Sequence, residues 1–240
     1  DKVECVFTLK DLDFGFNTTK KEEIELNYNK ICESLNSKSE NIIRPRQTHT
    51  SNVIRLENEI GICPETLEDV DGIITDKQNK ILSLTFADCT PIALYDPKKN
   101  LIGNIHSGWR GSLNAIGTNG VKLMNKEYGS KVEDIICILG PTIRKCHFEV
   151  DEDVKELFYN KYNYLENINE IITEGRNKEG KKKYNIDTVL LNKTLLKNIG
   201  IKEENIIDSC ICTACNTDVC HSHRIEKELS GRSTLIMYLK

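Results

Sequence analysis

Residues 72–75, 81–86, 92–95 and 101–105 form four short runs rich in β-branched and aliphatic side chains, separated only by turn-prone gaps. Such runs, bounded by Gly, Pro, Asp and Asn, are strand signals, and Asp96-Pro97-Lys98-Lys99-Asn100 reads as a hairpin turn. Helical spacing resumes only at 111–128, where Leu113, Ile116, Val121 and Met124 align and Gly129 supplies a stop. Strands that cluster beside helices, rather than alternating with them, argue for an α+β fold with a mixed sheet. A doubly wound nucleotide fold is disfavoured, and no Gly-rich dinucleotide loop or phosphate-binding loop is present.

The flanks extend this pattern. Residues 3–9 and 13–16 read as two strands around a turn, 22–35 as a helix, and 42–44 and 53–56 as strands flanking Arg46-Gln47-Thr48-His49-Thr50. Residues 61–71, with Pro64, read as loop. A strand is expected at 134–139 and a helix from Asp151, whose acidic first turn suits a helix N-terminus. The polar, lysine-rich and asparagine-rich stretch 160–185 reads as a surface excursion. A helix over 187–196 capped by Asp187, and strands at 206–208 and 234–239, close the chain.

Formal net charge is -4 and no large basic field appears, so nucleic acid is not an expected partner. No apolar run reaches 18 residues and no signal-peptide pattern is seen, so no membrane association is expected. The lysine-rich and aspartate-rich surface points to the cytoplasm, and the ten cysteines are read as mostly reduced. The expected assembly is a monomer or a weak homo-oligomer.

Five histidines are present, and two lie in short polar segments beside strands. His49 sits in the 46–50 segment, and His106 in Gly103-Asn104-Ile105-His106-Ser107-Gly108-Trp109-Arg110-Gly111. Between them Ala87-Asp88-Cys89-Thr90-Pro91 sets an acid and a thiol where an apolar strand stops. Imidazole and thiolate suit zinc, and three protein ligands leave a fourth position open, as catalytic zinc sites do. The same residues also fit a metal-free Cys–His nucleophile pair with Asp88 or His49 as orienter, or ordinary polar and core positions. Spacing alone does not choose.

Five segments taken in order carry a resemblance. They are Asp71-Gly72-Ile73-Ile74-Thr75, Ala87-Asp88-Cys89-Thr90-Pro91, and His106-Ser107-Gly108-Trp109-Arg110-Gly111. Leu139-Gly140-Pro141-Thr142-Ile143 with Cys146, Phe148, Glu149 and Val150 is the fourth. Cys212-Thr213 with Ser222, Arg224 and Gly231-Arg232 is the fifth. Together they resemble the bacterial laccase-domain proteins, formerly called multicopper polyphenol oxidoreductases and understood as purine nucleoside enzymes. The resemblance runs from about residue 3 to the C-terminus and implies one domain over 1–240, with four layers in the order α/β/β/α. It implies zinc on His49, Cys89 and His106, with copper the less expected metal. It also implies phosphorolysis of adenosine, inosine, guanosine and methylthioadenosine, together with adenosine deamination; the small-molecule partners are then purine nucleosides and inorganic phosphate.

Within that reading Arg46 is the first candidate to grip phosphate or ribose, because a guanidinium makes bidentate bonds to such groups. Arg110 is the second, against a structural role in its own turn. Asp88 is expected to orient a ligand histidine or act as a base, or else to cap nearby amides. Gln47 is expected to hydrogen-bond substrate. Gly108 and Gly111 are expected to allow close backbone approach, and Trp109 to stack on a purine or fill core. The chain departs from the family pattern at Cys220-His221-Ser222-His223-Arg224, where a Phe-Phe-Ser-Tyr-Arg segment is usual. The spacing Cys212–Cys215, beside Cys210, Cys220, His221 and His223, raises a second metal knuckle, which the family does not require. Three rivals remain: a copper-dependent polyphenol oxidase, for which five histidines are sparse, a metal-free hydrolase using Cys89, and a binding protein without turnover.

Overall fold

A computed structural model describes residues 2–56, 67–176 and 180–240. The strands are β1 (Val3–Phe7), β2 (Ile42–Ile43), β3 (Val53–Arg55), β4 (Gly72–Thr75), β5 (Ile81–Phe86), β6 (Thr90–Asp96), β7 (Leu101–Ser107), β8 (Ile136–Leu139), β9 (Glu149–Val150), β10 (Ile172–Glu174), β11 (Tyr184–Ile186), β12 (Ile206–Asp208) and β13 (Ser233–Leu239). The helices are α1 (Lys21–Ser34), α2 (Trp109–Leu113), α3 (Ile116–Tyr128), α4 (Glu152–Tyr162), α5 (Ile168–Ile171), α6 (Thr188–Asn198) and α7 (His223–Glu226).

The four strand runs do not make one meander. β5 lies in a four-stranded sheet of order β1-β13-β5-β2, while β4, β6 and β7 lie in a six-stranded sheet of order β12-β8-β6-β7-β4-β3. Both are mixed, because β2–β5, β3–β4 and β8–β12 pair in parallel and the other neighbours run antiparallel. The sheets face each other. Ile73, Ala93 and Ile102 of the larger sheet share one core with Leu82, Phe86 and Leu235 of the smaller. The next residues along the same strands, Ile74, Ile92, Leu94 and Leu101, pack on the opposite side with Met124 of α3 and Leu196 of α6. Side chains alternate across a strand, so a sheet covered on both faces needs apolar residues at every position. This is why the central runs are continuous rather than alternating. On the far side of the smaller sheet, Ile24, Tyr28 and Ile31 of α1 pack with Ile81 and Ile236. The layers are therefore α/β/β/α, as expected. Buried Asn104 ties the two sheets, donating to the Leu82 carbonyl at 3.1 Å and the Leu235 carbonyl at 2.8 Å.

Three expectations need correction. The strand expected at 13–16 is a loop built around Asp13, whose carboxylate accepts from the Gly15 amide, the Arg232 amide, Thr18 and Thr19. The single helix expected over 111–128 is two helices, broken at Ala115 (φ 56°, left-handed). Tyr162 donates to the Leu113 carbonyl at 2.8 Å, satisfying a group the break leaves free. The surface excursion at 160–185 instead contributes α5, β10 and β11. This stretch buries Leu165, Ile168, Ile171 and Ile172, with Phe158 and Leu191 completing a side core around them. Its lysines hid that core, since only a few apolar residues carry it. The caps divide: Asp187 accepts from the Leu190 amide at 2.8 Å and Gly129 ends α3 at φ 66°, whereas Asp151 turns its carboxylate to Lys183. Of the loop expected over 61–71, residues 61–66 lie outside the described residues. Among the described residues, no helix is long and apolar enough to cross a membrane.

Asp13 makes one prediction. Burial would raise its pKa, but the hydrogen bonds from Thr19, the Arg232 and Gly15 amides and Thr18 outweigh it and hold the carboxyl below its usual value. A depressed folded pKa contributes stability that is present above the unfolded value and lost as pH falls through the folded one. The gap in urea midpoint between wild type and Asp13→Asn is therefore expected to be wide at neutral pH and to close below about pH 4. A gap that stays constant with pH would show that the bonds are not charge-assisted.

A candidate metal centre in a cationic cleft

The three metal-ligand candidates come from three connections at one end of the sheet pair. His49 sits between β2 and β3. Cys89 lies in the short link 87–89 where the chain leaves the smaller sheet for the larger. His106 lies near the C-terminal end of β7, opposite Pro91. The structure brings them together: one donor atom from each lies within 4.8 Å of the others, and the two imidazole centroids are 4.9 Å apart. Two positions in this arrangement have left-handed backbone, His49 (φ 63°) and Asp88 (φ 80°). Such conformations cost energy in residues other than glycine and persist where their surroundings hold them.

What holds His49 is Asp71, a fully buried residue just before β4. Its carboxylate accepts from the amides of Thr48, His49 and Thr50 and from the Thr50 hydroxyl. The same carboxylate lies 2.7 Å from Nδ1 of His106. That contact fixes the tautomer and leaves Nε2 for the centre. One buried carboxylate thus sets the backbone of one ligand and the ring of another. Burial would raise the Asp71 pKa, but its bond to His106, the charge there and the Thr50 bonds hold it below the usual value.

The electrostatics of the triad follow. Burial alone would push the Cys89 thiol up, yet the charges and hydrogen bonds of His106 and His49 outweigh it and bring it down to about 6. Burial would likewise lower His106, but Cys89 and Asp71 raise it to about 9. Each of the two thus favours the charged form of the other. With metal, the same arrangement offers a preformed thiolate ligand, so the donor set fits zinc. Gly108 makes the close approach possible: a Cβ there would lie 2.7 Å from Cδ2 of His49 and 3.3 Å from Sγ of Cys89.

The triad forms part of the wall of a cleft of about 600 Å³. Arg110, Arg224, Arg232 and Lys227 line it, as do Trp109 and Phe148. The volume suits a small organic ligand, and its cations suit an anionic group.

The remaining sequence candidates fare differently. Arg46 does not line the cleft; its guanidinium is exposed and donates to Glu68 at 2.8 Å. Asp88 lines the cleft but is not the carboxylate that orients His106. Its oxygens accept from Thr213, Ser222 and the Arg224 amide at 2.6–2.8 Å, so it organises the C-terminal wall. Gln47 lines the cleft with its amide committed to Thr85, donating to the carbonyl and accepting from the amide, both at 2.8 Å. Arg110 lies 4.3 Å from the Trp109 ring centroid and has no carboxylate partner among the described residues. Trp109 lines the cleft, and its ring centroid lies 6.5 Å from that of Phe158. Sequence reasoning missed Asp71 and the cleft position of Arg232. Asp71 stands just before an apolar strand, a place where a buried carboxylate needs several donors, but the sequence does not show which residues supply them.

The sequence profile of the family described as multi-copper polyphenol oxidoreductase laccase matches residues 7–240. A relative from Bacillus subtilis named purine nucleoside phosphorylase YlmD is 28% identical, over 96% of this chain and 83% of its own. One from Staphylococcus aureus, also named purine nucleoside phosphorylase, is 31% identical over 84% of this chain and 74% of its own. Among solved structures, hypothetical protein YfiH from Bacillus licheniformis superposes with a TM-score of 0.87 at 27% identity, covering 99% of this chain and 93% of the other. YlmD from Geobacillus stearothermophilus gives 0.84 at 23% identity, covering 100% and 92%, a likeness of fold.

Proposed function

The chain belongs to the multi-copper polyphenol oxidoreductase laccase family, and from that premise we propose that it is a zinc-dependent purine nucleoside phosphorylase that also deaminates adenosine. The observation that carries the reading is a soft-donor triad set in a cleft that is also lined by three arginines and a lysine. A nucleoside and an inorganic phosphate together need such a place: apolar and aromatic walls for the base, and guanidinium groups for the anion. The names of the relatives from B. subtilis and S. aureus point the same way.

In phosphorolysis a phosphate oxygen bonds to C1′ as the C1′–N9 bond breaks. The bonding pair leaves with the purine, which takes up a proton, and ribose 1-phosphate results. Arg110 and Arg224 are suited to hold phosphate for that attack, and Trp109 and Phe148 to flank the base. His223 lines the same cleft with Nδ1 3.1 Å from the Lys227 carbonyl, and with both ring nitrogens protonated it is suited to hand the Nε2 proton to the departing purine. Zinc held by His49, Cys89 and His106 supplies Lewis acidity to the cleft. Asp71 keeps His106 oriented throughout. In deamination water adds at C6 and ammonia leaves. Adenosine, inosine, guanosine and methylthioadenosine share the purine and C1′ features this reading uses.

Arg110→Ala is expected to remove charge-assisted bonds worth about 1.5–3 kcal/mol, which raises KM for phosphate roughly 10- to 100-fold with a smaller change for the nucleoside. Equal effects on both would place Arg110 elsewhere than at phosphate. The reading itself is tested by incubating metal-quantified protein with adenosine, with and without phosphate, and resolving products by mass. Adenine and ribose 1-phosphate formed only with phosphate, and inosine in either case, support it. A protein that binds zinc and adenosine but yields neither product refutes it.

The depressed thiol of Cys89 beside His106 also suits a metal-free nucleophile. That reading expects turnover that survives chelation and is abolished by alkylation. The polyphenol oxidase reading expects dioxygen uptake with a phenol, dependent on copper and not on phosphate.

A further inference from the structure

A second group of soft donors lies where two loops meet, and it is not the one the C-terminal spacing suggests. Cys212 and Cys215 are joined by Cys146 and His147 from the loop after β8, not by Cys220, His221 or His223. Cys220 and His221 are buried elsewhere, and His223 turns to the Lys227 carbonyl. The two loops are aligned by an isolated parallel bridge between Thr142 and Cys212, with amide-to-carbonyl bonds from Thr142 to Ile211 at 3.2 Å and from Thr213 to Thr142 at 3.0 Å.

The separations are those of a coordination shell. Sγ of Cys146 lies 3.6 Å from Cys212 and 3.7 Å from Cys215. Nδ1 of His147 lies 3.2 Å from Cys146, 3.4 Å from Cys215 and 3.9 Å from Cys212. All four donors fall within 4.8 Å of one another. A tetrahedral zinc with its usual bond lengths requires sulfurs about 3.8 Å apart and sulfur to nitrogen about 3.6 Å. A disulfide would need sulfurs about 2.0 Å apart, and these cysteines are free.

We propose that Cys146, His147, Cys212 and Cys215 form a structural zinc site, separate from the triad. Four protein ligands close the shell, so the site holds structure rather than substrate. Binding releases the thiol protons to solvent. The ion clasps the loop bearing Ile143 and Phe148 to the loop bearing Thr213. Ile143 donates its amide to the Asp88 carbonyl at 2.9 Å, and Thr213 donates to the Asp88 carboxylate at 2.6 Å. Ile143, Phe148 and Asp88 all line the cleft, so the clasp fixes that wall. The proposal does not depend on what the cleft catalyses.

The test is metal analysis of the full chain, prepared under reductant, untagged and without chelator, as wild type, Cys89→Ala, Cys146→Ser, Cys215→Ser and Cys210→Ser. Cys146→Ser and Cys215→Ser are each expected to lose one zinc equivalent and to melt at lower temperature, while Cys210→Ser loses nothing. Cobalt loaded into the Cys89→Ala protein is expected to show the strong visible absorption of tetrahedral thiolate-bound cobalt, lost when Cys215→Ser is added. The appearance of those bands in Cys89→Ala needs no cluster variant to fold. Unchanged zinc content in Cys146→Ser and Cys215→Ser would overturn the proposal. So would folded Cys89→Ala protein without those bands, or a native mass lighter by two hydrogens that traces to a bond between these cysteines.

Discussion

Asp71→Ala is expected to destabilise the protein by about 3–5 kcal/mol, the cost of stranding one partner of a buried charged pair. The loss would come from both sides of one carboxylate: His106 loses its acceptor, and the amides of Thr48, His49 and Thr50 lose theirs. Asp71→Asn separates structure from chemistry. Its amide nitrogen must face either His106 and the His49 amide or the amides of Thr48 and Thr50, all donors, so either the His106 ring or the segment that carries His49 loses its acceptor. Zinc affinity at the triad is expected to fall about 10- to 100-fold, read by chelator competition in protein that still melts cooperatively. Unchanged affinity in folded Asp71→Asn would mean that His106 is held by something else.

Gly108→Ala carries the second large effect. The added Cβ would sit 2.7 Å from His49, closer than packed carbons tolerate, and 3.3 Å from the Cys89 sulfur. Gly108 is also the residue before α2, which holds Trp109 and Arg110 at the cleft, so it is not free to retreat. His49 has to move instead. Overpacking costs about 1–3 kcal/mol, and a displacement on the order of 1 Å costs on the order of 100-fold in rate. The expected signature is a kcat/KM for inosine phosphorolysis down about 100-fold in a protein that remains folded at assay temperature. Wild-type kinetics in this variant would show that His49 has no fixed place in the reaction.

The layers and the zinc role of the triad were legible through the family resemblance carried by the five segments; local signals gave the strand runs and marked His49, Cys89 and His106 as candidates. Continuous apolar runs such as Ile92–Ala93–Leu94 report a sheet covered on both faces, and a thiol or imidazole at the end of such a run stands out. Three things were hidden for physical reasons. Asp71 works through contacts to residues far along the chain, and no spacing announces a hub of that kind. Arg46 and Arg232 are chemically equivalent in sequence, yet one pairs with Glu68 outside the cleft and the other lines it. The break at Ala115 keeps an apolar period on both sides, so periodicity joined two helices that a left-handed residue separates. The second metal cluster was half visible. Cys212 and Cys215 have knuckle spacing, but their partners Cys146 and His147 come from a loop some 65 residues earlier, which pairing through Thr142 brings alongside.

The most direct test of the central claim is the phosphate-dependent conversion of inosine in wild type and Cys89→Ala, with zinc measured in the same samples. The account predicts hypoxanthine and ribose 1-phosphate from wild type in proportion to triad zinc, and neither product from Cys89→Ala. Undiminished turnover in Cys89→Ala would contradict it, as would full turnover by wild-type protein stripped of metal.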